Sequence, residues 1–205
     1  LPALSKARER ARTALCMGNL KQLYTIFVMY VNDYDGYGPY RPTPYGQVAF
    51  IYILKDAYPT IFKPNLLWSK YAGRKIWHCP SFPLNDWQPP NNSNGASDYG
   101  LNSQVYYGPQ GYIAGRPADW VSFKWDRSAP RPSEKFLLMD MGWGRPTVHP
   151  LNSYRVTYHF RHNNGLNMLF FDGHVEWRTP EKVPSWNNWA DFYNSPDPRP
   201  WNTRR

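Results

Sequence analysis

His159, His162, Asp172 and His174 fall in one short run, and imidazoles and carboxylates are the groups that ligate transition metals or relay protons. Either chemistry needs the groups to converge. Here His159 sits in an alternating stretch that predicts a strand, His162 in the turn after it, and His174 across an Asp-Gly turn from Asp172. Convergence would demand an unusual fold-back. The spacing favours a structural role, in which His162 and Asp172 hydrogen-bond loop backbone and fix a hairpin; a metal site and catalysis are the alternatives. Two further carboxylates, Asp33 and Asp35 in NDYDG, could gather calcium, but the loop lacks the one-three-five ligand ladder and a closing Glu. A left-handed helix cap at Gly36 is the plainer expectation. Nucleophile elbow, phosphate loop, dinucleotide turn and HExxH helix are all absent from the sequence. No catalytic residue is assigned, no enzyme activity is expected, and calcium is the only cofactor considered.

The two cysteines, Cys16 and Cys79, form no CxxC or CxxCH pattern, which disfavours a zinc ribbon, a thioredoxin-type site and covalent haem. Cys16 lies on the inward stripe of a helix, so a disulfide to Cys79 is geometrically reasonable. It would close a loop of about 60 residues and stabilise by a few kcal/mol in the chain-entropy model. Such a bridge implies an oxidising compartment. The alternative is two unpaired, buried thiols.

The elements that must position these groups begin with one long helix, from Leu4 to about Asp33. Its second half carries apolar residues at Cys16, Leu20, Leu23, Phe27, Val31 and Tyr34, steps of three or four that share one side. Its first half differs: Leu4, Ala7, Ala11 and Ala14 make a small-residue strip among Lys6, Arg8, Arg10 and Arg12. At about 30 residues the helix spans roughly 45 Å, more than a body of this size covers. A short amphipathic helix is expected over Gln47 to Ala57, a helical turn over Leu66 to Ala72, and a short strand over Lys75 to His78. Tyr99 to Tyr112 reads as extended. Lys135 to Asp140, Arg155 to Phe160, Leu166 to Phe171 and His174 to Trp177 read as strands, the last two joined at Asp172-Gly173.

LPALSKARERAR, followed by CMGNLKQL and YVNDYDGY, resembles the middle of the N-terminal helix of type IV pilin-like proteins, or pseudopilins. His162, nine residues, then Asp172-Gly173 is similar to the H-x9-DG element of a large bacterial group with a prepilin-type N-terminus. CPSFPLNDW (79–87) and DYGLN (98–102) match that group's midsection, so the resemblance runs from Leu1 to about Trp177. It implies a mature protein that opens with about 20 continuous apolar residues, enough to cross a bilayer. That segment is missing here, and the expectation is that it has been trimmed, processed away or left out. The resemblance does not imply a biochemical role for the H-x9-DG element.

The expected fold is therefore α+β and pilin-like: a long N-terminal helix packed on an antiparallel sheet of about four strands, with long aromatic and Pro-rich loops. One domain spans 1–205, divided into the helix (1–34), the globular body (35–178) and a C-terminal tail (179–205). Aromatics make up 18% of the chain and charged residues 19%, with 21 Pro, so an ordered chain with many turns is expected. The tail, with Trp186, Trp189 and Trp201, must dock on its own body or a neighbour. The net charge of +9 sits largely at the two ends, and no base-reading signature accompanies it, so nucleic acid is not an expected partner. The leading expectation is an extracellular or cell-surface filament subunit, a pilin or a pseudopilin of a type II secretion apparatus. It would form a helical homo-oligomer through Leu4, Ala7, Arg8, Ala11, Arg12 and Ala14, with the tail tryptophans assisting. The membrane would be met only through the missing segment. The alternative is a tethered carbohydrate-binding module, with glycan stacked on Trp and Tyr; a sequon at Asn91 adds a candidate glycosylation site.

Overall fold

Helix α1 runs from Pro2 to Asp33 in the computed structural model, which describes residues 2–39, 42–43, 46–47, 50–61, 76–81, 98–102, 125, 131–140, 147–148 and 160–183. Pro2 is tolerated in the first turn, and the Ala, Leu, Lys, Arg and Glu that follow are strong helix formers. The helix stops in a Schellman-type turn: Gly36 N–H reaches back to the Val31 carbonyl at 2.7 Å, with Asp35 at φ 51° and Gly36 at φ 84°. Cys16, Leu20, Leu23, Phe27 and Val31 are buried as the stripe requires, and Ile26 and Tyr30 join them. Tyr34 does not. It lies past the last helical residue, where the 100° step per residue ends, and it is exposed, its ring stacked on Tyr30. Residues 3–8 are exposed throughout.

Helix α2 spans Phe50–Ala57. It starts later than the periodicity predicts because Gly46–Gln47 (β2) is paired with Pro42–Thr43 (β1) in a two-residue ladder. Phe50, Ile51, Ile53 and Leu54 are buried, and Phe50 meets Phe27 of α1 with ring centroids 5.4 Å apart. The Tyr58 hydroxyl, just past α2, donates to Asp33 at 2.5 Å and ties the ends of the two helices together.

Against the second half of α1 lies a sheet of Tyr99–Asn102 (β3), Phe136–Asp140 (β4), Thr147–Val148 (β5), Leu166–Phe170 (β6) and Val175–Arg178 (β7), in the order β5-β3-β4-β6-β7. β3, β4, β6 and β7 are antiparallel neighbours, and the two residues of β5 join β3 in parallel. The expected α+β plan with an antiparallel sheet of four strands is thus present, with one short parallel strand added. The expected strand over Lys75 to His78 is replaced, over the described residues 76–78, by a turn. Leu66 to Ala72 and Arg155 to His159 lie outside the described residues.

The sheet is apolar on both faces, so β4 and β6 read as continuous hydrophobic runs. A register shift between Phe136 and Leu138 sets which residue faces which way. Phe136 pairs with Phe170 and Met139 with Met168 in a cluster on the far face, whereas Leu138 pairs with Leu169 on the face toward α1. In a regular ladder Phe136, Leu138 and Asp140 would share one face; the shift at Leu137 separates Phe136 from the other two, so Asp140 shares the face of Leu138 and looks at the helix.

The β6–β7 hairpin clamps α1 at both ends of β6. His162, before the strand, reaches Thr13 and Glu9, and Gly173, after it, lies under Tyr24. Thr13 and Tyr24 are about 16 Å apart along the helix, close to the roughly 17 Å length of a five-residue strand. Gly173 has φ 88°, and a Cβ there would come within 2.5 Å of the Tyr24 ring, so both backbone and packing demand glycine. The Tyr24 hydroxyl donates to the Phe171 carbonyl at 3.2 Å. The spacing of the H-x9-DG element thus matches the length of the strand that the helix lies along.

Candidate metal centre

Cys16 of α1, Cys79 in the 76–81 turn, Asp140 at the end of β4 and His162 in the turn before β6 converge in the core, with one donor atom of each within 4.8 Å of the others. All four residues are buried, Cys16, Asp140 and His162 completely. His162 Nε2 lies 3.2 Å from Cys79 Sγ and 3.4 Å from Asp140 Oδ2, and Cys16 Sγ lies 3.2 Å from Asp140 Oδ1. The Tyr99 hydroxyl is 3.4 Å from Cys16 Sγ.

Each group is held from behind. His162 Nδ1 faces Glu9 Oε1 at 3.1 Å, with Thr13 Oγ1 at 3.3 Å and Ser81 Oγ at 3.4 Å. Its backbone N–H and carbonyl exchange bonds with Gly165, and the carbonyl also accepts from the Trp177 indole at 2.7 Å. The Asn167 N–H donates to Asp140 Oδ2 at 2.7 Å. The Cys79 N–H donates to Asp98 Oδ2 at 2.8 Å, and Asp98 Oδ2 also lies 3.3 Å from His78 Nδ1. Ladder pairing places Tyr99 beside Asp140 and Asn167 beside Trp177, so Tyr99, Asp140, Asn167 and Trp177 form a row across four strands.

The electrostatics are those of acids crowded in a dry place. Burial pushes the Cys16 thiol up, and the Cys79 and Asp140 charges push it further. Burial also acts against the Cys79 thiolate, but hydrogen bonds from Cys16 and His162 outweigh it and hold that thiol at about 6. For His162, desolvation lowers the pKa, and Cys79, Asp140 and Glu9 together outweigh it, so the imidazole is pushed up. Arg161 follows the same pattern: burial opposes its charge, and Asp140, Cys79, Asp98 and Cys16 restore it and more. A Cys–His pair at this distance is the geometry of an activated nucleophile, but Cys79 is only 2% exposed and a substrate has no approach to its sulfur. The four groups are of the types that ligate a metal, and the two sulfurs are of the type that oxidise to a disulfide.

The residues singled out in the sequence fare differently. Cys16 and Cys79, expected as a disulfide, are brought together in this structure as free thiols that hydrogen-bond each other as well as Asp140 and His162. His162 does not bond hairpin backbone through its ring as expected, since both ring nitrogens are engaged by the cluster and by Glu9. Asp172 does hold its own turn, accepting from the His174 N–H at 3.1 Å, and its carboxylate pairs with the His174 ring at 2.6 Å on the surface, apart from His162. Asp33 accepts from Tyr58, and Asp35 sits in the left-handed cap; among the described residues no third donor joins them as a calcium site. His159, Asn91, Trp186, Trp189 and Trp201 lie outside the described residues. Asp140 went unnoticed in the sequence. A carboxylate ending an apolar run, KFLLMD, was the available signal, since a buried acid needs partners.

No family model, no curated protein and no solved structure matches the chain.

Proposed function

We propose that this chain is a pilin-like filament subunit, extracellular or on the cell surface, that assembles with sister copies through the first half of α1. The observation that carries the proposal is the exposure of that half. Ala3 to Arg8 are exposed, as are Ala11, Arg12, Ala14 and Leu15, with Leu4 at 51% and Leu15 at 62% of full accessibility. The rod over residues 3–15, roughly 18 Å long, thus presents apolar and small side chains to water, while its Glu9 and Thr13 turn to His162. Beside it, a shallow groove of about 270 Å³ is lined by Ala14, Met17 and Trp177 among others, a surface against which a neighbouring helix packs. Head-to-tail packing of one such rod on the next body does not close into a ring and so grows a filament. The surface location rests on this assembly, not on a disulfide. Whatever precedes Leu1, no described helix is long and apolar enough to cross a membrane.

Electron microscopy of the protein joined to an apolar prepilin-type leader tests the proposal. Filaments are expected, and Leu15→Arg should abolish them while far-ultraviolet circular dichroism stays unchanged. Discrete particles from the parent chain, or filaments undiminished by Leu15→Arg, would overturn it.

A further inference from the structure

We propose that Cys16, Cys79, Asp140 and His162 bind one zinc-class divalent ion, and that the ion fastens helix α1 to the sheet. This stands independently of the filament proposal. Two sulfurs, an imidazole nitrogen and a carboxylate oxygen are a tetrahedral zinc donor set. With metal–sulfur bonds of about 2.3 Å and metal–nitrogen or metal–oxygen bonds of about 2.0 Å, the edges of such a tetrahedron measure roughly 3.3–3.8 Å. Cys79 Sγ and His162 Nε2 are 3.2 Å apart, Asp140 meets Cys16 through Oδ1 at 3.2 Å and His162 through Oδ2 at 3.4 Å, and with one atom per ligand every edge is at most 4.8 Å, so the set closes by about 1 Å at most on binding.

The surroundings are those of a ligand set. His162 turns Nε2 into the cluster and Nδ1 to Glu9, the carboxylate–histidine–metal relay that fixes tautomer and ring orientation. Asp140 is aimed by the Asn167 N–H. Beside it, the Asn167 side-chain amide is fully buried with neither its nitrogen nor its oxygen hydrogen-bonded, a costly state. Charge agrees: two thiolates and Asp140 contribute three negative charges, a divalent ion cancels two, and the adjacent Arg161 guanidinium offsets the third. Binding releases two protons to solvent, one from the Cys16 thiol and one from the Cys79–His162 pair. His162 donates the Nε2 lone pair as a neutral imidazole whose remaining proton, on Nδ1, is held by Glu9. The four ligands come from the helix, a turn, a strand end and a hairpin, so one ion joins four segments distant in sequence.

The test is Co²⁺ titration of the full chain, purified reduced and stripped of metal, followed by Zn²⁺ displacement. One equivalent of Co²⁺ should bind with thiolate-to-cobalt charge transfer and the intense visible bands of a tetrahedral ion, and Zn²⁺ should bleach both. Cys79→Ser should diminish the charge transfer. Glu9→Gln, on the partly exposed rim, should weaken Co²⁺ binding about 10- to 100-fold while preserving the saturated spectrum. A reduced chain that takes up no Co²⁺, a spectrum unchanged by Cys79→Ser, or an affinity unchanged by Glu9→Gln would overturn the proposal. So would protein isolated without zinc and carrying a Cys16–Cys79 bridge.

Discussion

Lys135 is buried at the entry to β4, its amine 5.6 Å from the centroid of the Phe171 ring, and burial holds its pKa well below the ordinary lysine value. The unfolded chain, with a lysine pKa of about 10.4, therefore holds this proton more tightly than the folded one. The resulting contribution to stability is present above the unfolded pKa and is lost as pH falls through the depressed folded value. Lys135→Met should raise the urea midpoint at pH 7, and the gap from the parent should narrow toward pH 10; parallel stability–pH curves would refute this. Gly165 makes a second residue-scale case. A Cβ there would lie 2.3 Å from the Trp177 indole, whose N–H holds the His162 carbonyl. Gly165→Ala should cost roughly 1–3 kcal/mol by forcing that ring aside, read as a shift in urea midpoint. The glycine was visible in the sequence, but its reason was not, because Trp177 is 12 residues away and meets it only through the hairpin.

At the scale of elements, the clamp of α1 against the β6–β7 hairpin should be the stiffest part of the molecule. Gly173→Ala places an L residue at φ 88° and drives a methyl into Tyr24, so a loss of about 2 kcal/mol or more is expected. Thermal melting would check it; Asp172→Asn, which keeps the turn geometry, should cost far less. The α1–α2 contact is a packing case instead. Phe27 is fully buried against Phe50, and Phe27→Ala should lose about 3–5 kcal/mol, measured by denaturant unfolding. The strands β4 and β6, the hairpin turn and both helices were legible because each has strong local chemistry. Tyr34 was misplaced because the stripe was extended through the cap. The start of α2 was misplaced because a strand pairing across Pro44-Tyr45 leaves no periodic trace.

For the whole molecule, the long helix divides stability from assembly. Residues 3–8 are exposed, whereas Glu9 and Thr13 support His162. Removing 1–8 should leave the melting temperature nearly unchanged, within the range of surface changes of about 0.5 kcal/mol, and should still abolish filaments. A large drop in melting temperature would show that this segment serves its own body. Extending the deletion through Thr13 should destabilise the fold, because the imidazole then loses the carboxylate that orients it.

The sequence by itself determined the long helix, its inward stripe, the apolar strands and the α+β plan, since 3.6-residue periodicity, hydrophobic runs and turn residues act over neighbouring positions. It also placed Cys16 and Cys79 inside. Only the tertiary structure decided what those sulfurs meet. Residues 16, 79, 140 and 162 come together through the pairing of distant strands, and a single register shift at Leu137 turns Asp140 toward the helix rather than away from it. Spacing along the chain carries no record of that shift, because a side chain's face depends on the partner strand it is paired with.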